Sequence, residues 1–231
     1  MSTIEAVKAA IRDASTRPSP IPAIEDIFPG DRQRALAFAA ERGDLTEIKA
    51  LVARGADINE LAPADVSVLM YEIAKKNEIA VRALLSAGAD PNALSKAGAS
   101  PMAVAAASDE PRMLGLLLDM GGDPNLKNLR EEPLIHQTIM FGQWANVRTL
   151  AERGADIEAK DTTGRNAALR LAYLNQYQEV NWMLDRGADA TVKDATGRTL
   201  RELVLKKVPN PASPLEAWRK HVAERLGVVE Q

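Results

Sequence analysis

Five glycines stand at one interval. Gly55, Gly88, Gly121, Gly154 and Gly187 follow one another at steps of 33 residues, and each opens a similar pentapeptide. The clearest copies are Gly55-Ala56-Asp57-Ile58-Asn59, Gly88-Ala89-Asp90-Pro91-Asn92 and Gly121-Gly122-Asp123-Pro124-Asn125. Gly154-Ala155-Asp156-Ile157-Glu158 and Gly187-Ala188-Asp189-Ala190-Thr191 are looser. A fixed period of this length means a repeated supersecondary unit that must stack on its neighbours, since one copy cannot bury its apolar faces alone. Short apolar helical patterns precede the glycines, as in Ile48, Leu51 and Val52, or Leu114, Leu117 and Leu118. Glycine then ends the helix in the left-handed region, where a β-carbon would clash. The Asp-x-Asn that follows suits a loop, because its short side chains bond nearby backbone groups.

Upstream of each such helix the pattern predicts a second one, over residues 35–41, 69–75, 101–107, 134–140 and 167–173. The unit is therefore a helix–turn–helix followed by an extended loop. Composition agrees: 46% of residues are apolar but only 4% are aromatic, which favours closely packed helices over a β-sandwich.

These turns resemble those of the ankyrin family across roughly residues 31 to 205. The family's Thr-Pro-Leu-His tetrapeptide survives in pieces, as Ser100-Pro101-Met102-Ala103, Pro133-Leu134-Ile135-His136 and Thr199-Leu200. Its Ala-Ala step is kept at Ala39-Ala40 and Ala105-Ala106, and becomes Glu72-Ile73, Thr138-Ile139 and Leu171-Ala172 elsewhere. The resemblance implies an all-α ankyrin-repeat solenoid capped at both ends. Residues 1–30 would form an amphipathic helix and a Pro-rich connection, 31–196 five repeats, and 197–231 a degenerate sixth repeat and a cap helix. Ile4, Val7 and Ile11, with Ser2 and Glu5 as a capping box, mark the first helix. Pro18, Pro20 and Pro22 favour an extended link after it. Leu215, Trp218, Val222 and Leu226 would form the apolar face of the last helix. The second repeat is expected to be the most irregular. There Glu72 takes a slot usually given to a small buried alanine, so either the repeat is distorted or Glu72 faces the groove and a basic partner.

Chemistry finds few footholds. The absence of cysteine removes disulfides, thiol nucleophiles and cysteine-based zinc sites. The two histidines, His136 and His221, have no second ligand at metal spacing. The resemblance makes His136 a structural residue bonded to backbone of a neighbouring turn, and His221 reads as solvated. There is no nucleophile elbow, phosphate loop or His-Glu-x-x-His helix. The repeated aspartates lie about one helix-packing step of ~10 Å apart, too far to share an ion. The reading is no enzyme, no cofactor and no metal. A net charge of −3 gives no field to recruit nucleic acid. No stretch nears the ~18 apolar residues of a membrane span, and residues 1–15 do not form a secretory signal. The chain as given reads as cytoplasmic, with the periplasm open if an export signal has been removed.

What remains is a partner protein. In ankyrin proteins, partners contact loop tips and the exposed ends of the first helices. Counting in steps of 33 from the turns places those ends at Glu41-Arg42, Ala74-Lys75, Ala107-Ser108, Met140-Phe141 and Tyr173-Leu174. Only the last two pairs are large and apolar. Trp144 and Tyr177 share one later position, so four of the nine aromatic residues fall together. Such clusters form the desolvated centre of interfaces, though Trp144 and Tyr177 could equally fill the gap between repeats. Arg130, Glu132, Arg165 and Arg198 at loop tips would supply a charged rim. The expected function is a non-catalytic module, monomeric when free, that binds a specific protein. A short N-terminal helix, degenerate tetrapeptides and a Phe28-Pro29-Gly30-Asp31 lead-in resemble bacterial ankyrin proteins, some of which are immunity proteins neutralising secreted antibacterial enzymes such as type VI phospholipase effectors. A scaffold with several weak partners is the alternative.

Overall fold

The computed structural model describes residues 21–205 and 213–228. The expected helix over residues 1–15, its capping pair, most of the proline link, Lys206-Lys207 and Pro209 to Ala212 lie outside them. The described residues hold thirteen helices and no strand. They fall into two compact units, divided between Arg130 and Glu131.

The first unit carries α1 (Ile24–Ile27), α2 (Asp31–Glu41), α3 (Leu45–Ala53), α4 (Val68–Ala74), α5 (Glu78–Ser86), α6 (Pro101–Ala107) and α7 (Pro111–Asp119). Helices α2, α4 and α6 are the first helices of three repeats and pack on one another in sequence order, each also on its own second helix. Inner positions are filled by Leu36, Ala39, Leu69, Ile73, Met102 and Ala105, all buried. The turn glycines have φ of +90°, +100° and +99° at Gly55, Gly88 and Gly121, as their sequence context requires. Asp57 accepts the Asn59 N–H at 2.9 Å, and Asn59 Oδ1 accepts the Asp90 N–H of the next repeat at 2.9 Å. The pattern recurs from Asp90 to Asn92 to Asp123. Each Asp therefore closes its own turn, while Asn59 and Asn92 join theirs to the next. Gly122 replaces the alanine of other copies because an added β-carbon would lie 2.4 Å from Met102 Sδ.

The second repeat is not distorted. Ser67 caps α4 through the Met70 N–H at 3.2 Å, and the helix is regular to Ala74. Nor does Glu72 face a groove: it is fully buried, and neither carboxylate oxygen has a hydrogen-bond partner. The equivalent positions on the flanking helices are Ala39 and Ala105, both buried, and their small size makes the room. Burial pushes the Glu72 carboxyl up to about 7, against the opposing pull of the Lys75 charge. The irregular repeat is the third. Between its helices Ser108 and Glu110 are extended, whereas Gly43, Lys76, Gly142 and Asn175 at the equivalent turns have positive φ. The departure lies at Ser108, extended where the equivalent Arg42 and Lys75 are helical; Glu110, before Pro111, is non-helical like its equivalents Asp44, Asn77, Gln143 and Gln176.

The start of the unit is sealed by α1 and Phe28. The Phe28 ring is fully buried and meets Tyr71 edge-on at 5.5 Å, while the Tyr71 hydroxyl donates to the Pro22 carbonyl at 2.9 Å.

The second unit carries α8 (Leu134–Phe141), α9 (Trp144–Glu152), α10 (Ala167–Tyr173), α11 (Tyr177–Asp185), α12 (Leu200–Val204) and α13 (Pro214–Arg225). Its turns repeat the same chemistry at Gly154 and Gly187, with Glu158 replacing asparagine and accepting the Asp189 N–H at 2.9 Å. Buried His136 shares a 2.7 Å hydrogen bond with the Ala159 carbonyl through Nε2, and burial lowers its pKa, so the ring is neutral and donates. Outer helices α9 and α11 are tied by a bidentate Arg148–Glu179 pair at 2.9 and 2.7 Å.

The cap helix α13 packs differently from the sequence expectation. Val222 is buried, but Leu215 is 43% exposed, and the buried face is completed by Glu216, Arg219 and Ala223. Arg219 grips Glu216 through two bonds of 2.7 Å and donates to the Val204 carbonyl at the end of α12. A short terminal helix leaves carbonyls without intrahelical partners, and this guanidinium satisfies one.

Candidate protein-binding surface

The candidate residues divide sharply by burial. Tyr177 is only 1% exposed and its hydroxyl reaches the Leu203 carbonyl at 3.4 Å. Its ring fills the space before the cap, so it is core and presents nothing to a partner. Trp144, one repeat earlier, is half-buried at the first turn of α9. Met140, Phe141 and Leu174 are 61%, 42% and 38% exposed. Phe141 and Leu174 occupy equivalent positions at the ends of α8 and α10, which pack against each other. Arg130 is exposed and belongs to the first unit, whereas the other candidates belong to the second.

A shallow groove opens beside these apolar side chains. Met140, Tyr173 and Leu174 line it from the helices; Asp161, Thr162, Thr163 and Arg165 line it from the loop; Arg170 lies at its base. The loop is held from within. Asp161 Oδ1 accepts the Thr163 N–H and hydroxyl at 2.8 and 2.7 Å and the Arg165 N–H at 3.0 Å. Asp194 does the same for Thr196 and Arg198. Burial would raise the Asp161 pKa, but these donors and Arg170 hold it below the ordinary carboxylate range. The Tyr173 and Thr196 hydroxyls likewise hold Asp194 far below it.

Two side chains lock loop to helix. Arg170 donates to Glu132 at 2.6 Å and to Asp161 at 2.8 Å, joining two successive loops. Tyr173 is half-buried: its hydroxyl donates to Asp194, and Arg165 stacks on its face with the guanidinium carbon 3.8 Å from the ring centre. Glu132, expected at the rim, also accepts the Thr162 N–H at 3.3 Å and is largely shielded. Arg198 is exposed. Of the residues expected from spacing, Met140, Tyr173, Leu174 and Arg165 line this one groove, together with Arg170 and Asp161, which spacing does not point to. The available signal was an arginine on an otherwise apolar inner helix, one repeat beyond loop acids. Among the described residues, no three His, Asp or Glu side chains are placed to hold a metal ion. No helix among them is long and apolar enough to cross a membrane.

Stacked helix pairs joined by projecting loops define a repeat scaffold that offers a surface. The fold is the ankyrin-repeat fold, and residues 36–128 match the ankyrin repeat family in three copies. The chain is similar to the ankyrin repeat domain of Bcl-3, a member of the IkappaB protein family, at 23% identity and a TM-score of 0.69, over 84% of this chain and 86% of that one. It is also similar to EF0377, an ankyrin repeat protein, at 22% identity and a TM-score of 0.66, over 84% of this chain and 97% of that one. No curated protein sequence matches it.

Proposed function

We propose that this chain is a non-catalytic module that holds one specific protein partner through the surface of its second unit. Ankyrin repeats generally mediate protein–protein interaction. The observation that carries the reading here is the set of exposed apolar side chains Met140, Phe141 and Leu174, at neighbouring helix ends and beside a polar groove. An apolar centre in a polar surround is how specific interfaces are built. Tyr173, Arg165 and Glu132 shape that surround, Arg198 extends it, and Trp144 stands at its edge.

Neutralising a secreted antibacterial enzyme is the most specific form of this role. It draws on the Phe28-Pro29-Gly30-Asp31 lead-in, whose local job is structural: Phe28 seals the first unit and Gly30 precedes α2. The general reading therefore stands on the surface and the specific one on the partner. Co-purification from the organism that makes the protein tests both. One stoichiometric partner that survives high salt supports a dedicated binder, and loss of that partner's enzymatic activity in the complex supports neutralisation. Many salt-sensitive partners would indicate a scaffold instead.

A further inference from the structure

A carboxylate takes a new hydrogen bond from a basic partner only through unused lone pairs, of which it has about four, and at Asp161 and Asp194 they are used. Asp161 accepts four bonds from Thr163, Arg165 and Arg170. Asp194 accepts four from Tyr173, Thr196 and Arg198. Glu132 takes Arg170 and the Thr162 N–H. Arg170 is satisfied in the same way, but Arg165 and Arg198 are in the opposite condition. Arg165 has five side-chain donors; it stacks on Tyr173, and among the described residues its ion contact is Asp194 at 3.7 Å. Its Nε–H is buried and meets no hydrogen-bond acceptor. The Arg198 side chain is exposed and makes no hydrogen bond or ion pair among the described residues, while its N–H is bonded to Asp194.

Resting on the protein-binding reading above, we infer that this groove selects an acidic segment of its partner. An Asp or Glu carboxylate pairs with Arg165, Arg198 on the loop closed by Asp194 adds a second exposed cation, and a large apolar side chain nearby in the partner sits on Met140 and Leu174. A bidentate carboxylate fits the planar guanidinium already oriented by the Tyr173 ring. The aromatic stack pre-orders the arginine side chain, which reduces the entropy lost on binding.

Selection of a random linear-peptide display library on the full chain tests this. The expected ligands carry Asp or Glu within a few residues of a large apolar residue. Arg198→Glu, a change at an exposed site, weakens them at least about tenfold, the size of one charge-assisted bond. Arg165→Gln and Leu174→Asp weaken them too, and Ile79→Asp in the first unit does not. Ligands without acidic residues, or ligands indifferent to both arginine variants yet lost with Leu174→Asp, would overturn acid selection and leave the surface standing. Ligands indifferent to Leu174→Asp as well would remove the surface itself. A selection with no enrichment would also overturn the inference.

Discussion

The Tyr173 hydroxyl donates to the carboxylate of Asp194, so a residue at the end of α10 fastens the loop that follows the next helix. Asp194 in turn bonds the Thr196 and Arg198 N–H groups, and Arg165 stacks on the Tyr173 ring. The groove wall and the loop tip are thus one hydrogen-bonded assembly. Tyr173→Phe keeps the stacked ring and removes only the latch. Its expected effect lies in the acid range. A depressed carboxylate contributes stability that is present above the unfolded pKa and is lost as pH falls through the folded value. Removing the Tyr173 hydroxyl raises the Asp194 value, so acid unfolding should set in at higher pH than in the wild type. Unfolding followed by tryptophan fluorescence over a pH series checks this, and an unchanged acid limb would count against the latch.

Glu72 acts with the opposite sign. Folded, its carboxyl is pushed up to about 7 from 4.5, so the folded chain holds a proton that the unfolded chain has released. Its contribution to stability therefore falls as pH rises from 4.5 toward 7, by about 3 kcal/mol at most, at 1.36 kcal/mol per pH unit. Glu72→Gln removes the titration while keeping the shape. Urea unfolding at a mildly acidic and a mildly alkaline pH should show the wild type losing stability between them and the variant losing much less. Equal slopes would mean that Glu72 finds a partner on ionisation.

Arg219 and Glu216 form a buried pair at the C-terminal cap, with Arg219 also holding the Val204 carbonyl. Arg219→Ala takes two bonds from Glu216, which is 95% shielded and keeps Lys220 at 4.0 Å, and should cost about 3 kcal/mol. Exchanging the two together, Glu216→Leu with Arg219→Met, should cost far less, because a well-packed apolar pair removes the stranded charge. Denaturant midpoints of the two variants decide between a key specific to this pair and simple loss of volume.

Much of this was legible in the chain, for reasons that also define what was not. The 33-residue spacing located every turn because glycine at positive φ and Asp closing its own loop are local requirements. The Asn59 to Asp90 bond joins two repeats and has no local signature. Tyr177 and Tyr173 differ in the same way. Both are aromatic and close to a helix end, yet Tyr177 meets the cap and is buried, whereas Tyr173 meets a loop and lines a groove. Glu72 was noticed as anomalous, but its setting depended on alanines two helices away in either direction along the chain. Helical periodicity in the cap pointed to Leu215 and missed Arg219, since a hydrogen-bonded arginine can occupy a core position that hydropathy reserves for leucine.

Exposure alone does not mark the surface. Ile79 in the first unit is 69% exposed, more than any of Met140, Phe141 and Leu174. It sits at the start of α5 against Gly43, where an added β-carbon would lie 2.3 Å from its Cγ2. Ile79→Ser should therefore leave partner affinity unchanged, while Phe141→Ser should weaken it by about 2 kcal/mol, the usual scale of an interface anchor. Titration calorimetry with the co-purified partner measures both.

The most direct measurement is site-specific photo-crosslinking in the native cell, with a photoreactive amino acid placed at Phe141, Leu174 or Ile79. Binding through the second unit's surface predicts one shared protein adduct from positions 141 and 174 and none from 79. An adduct from 79 alone, or from all three positions equally, would contradict it.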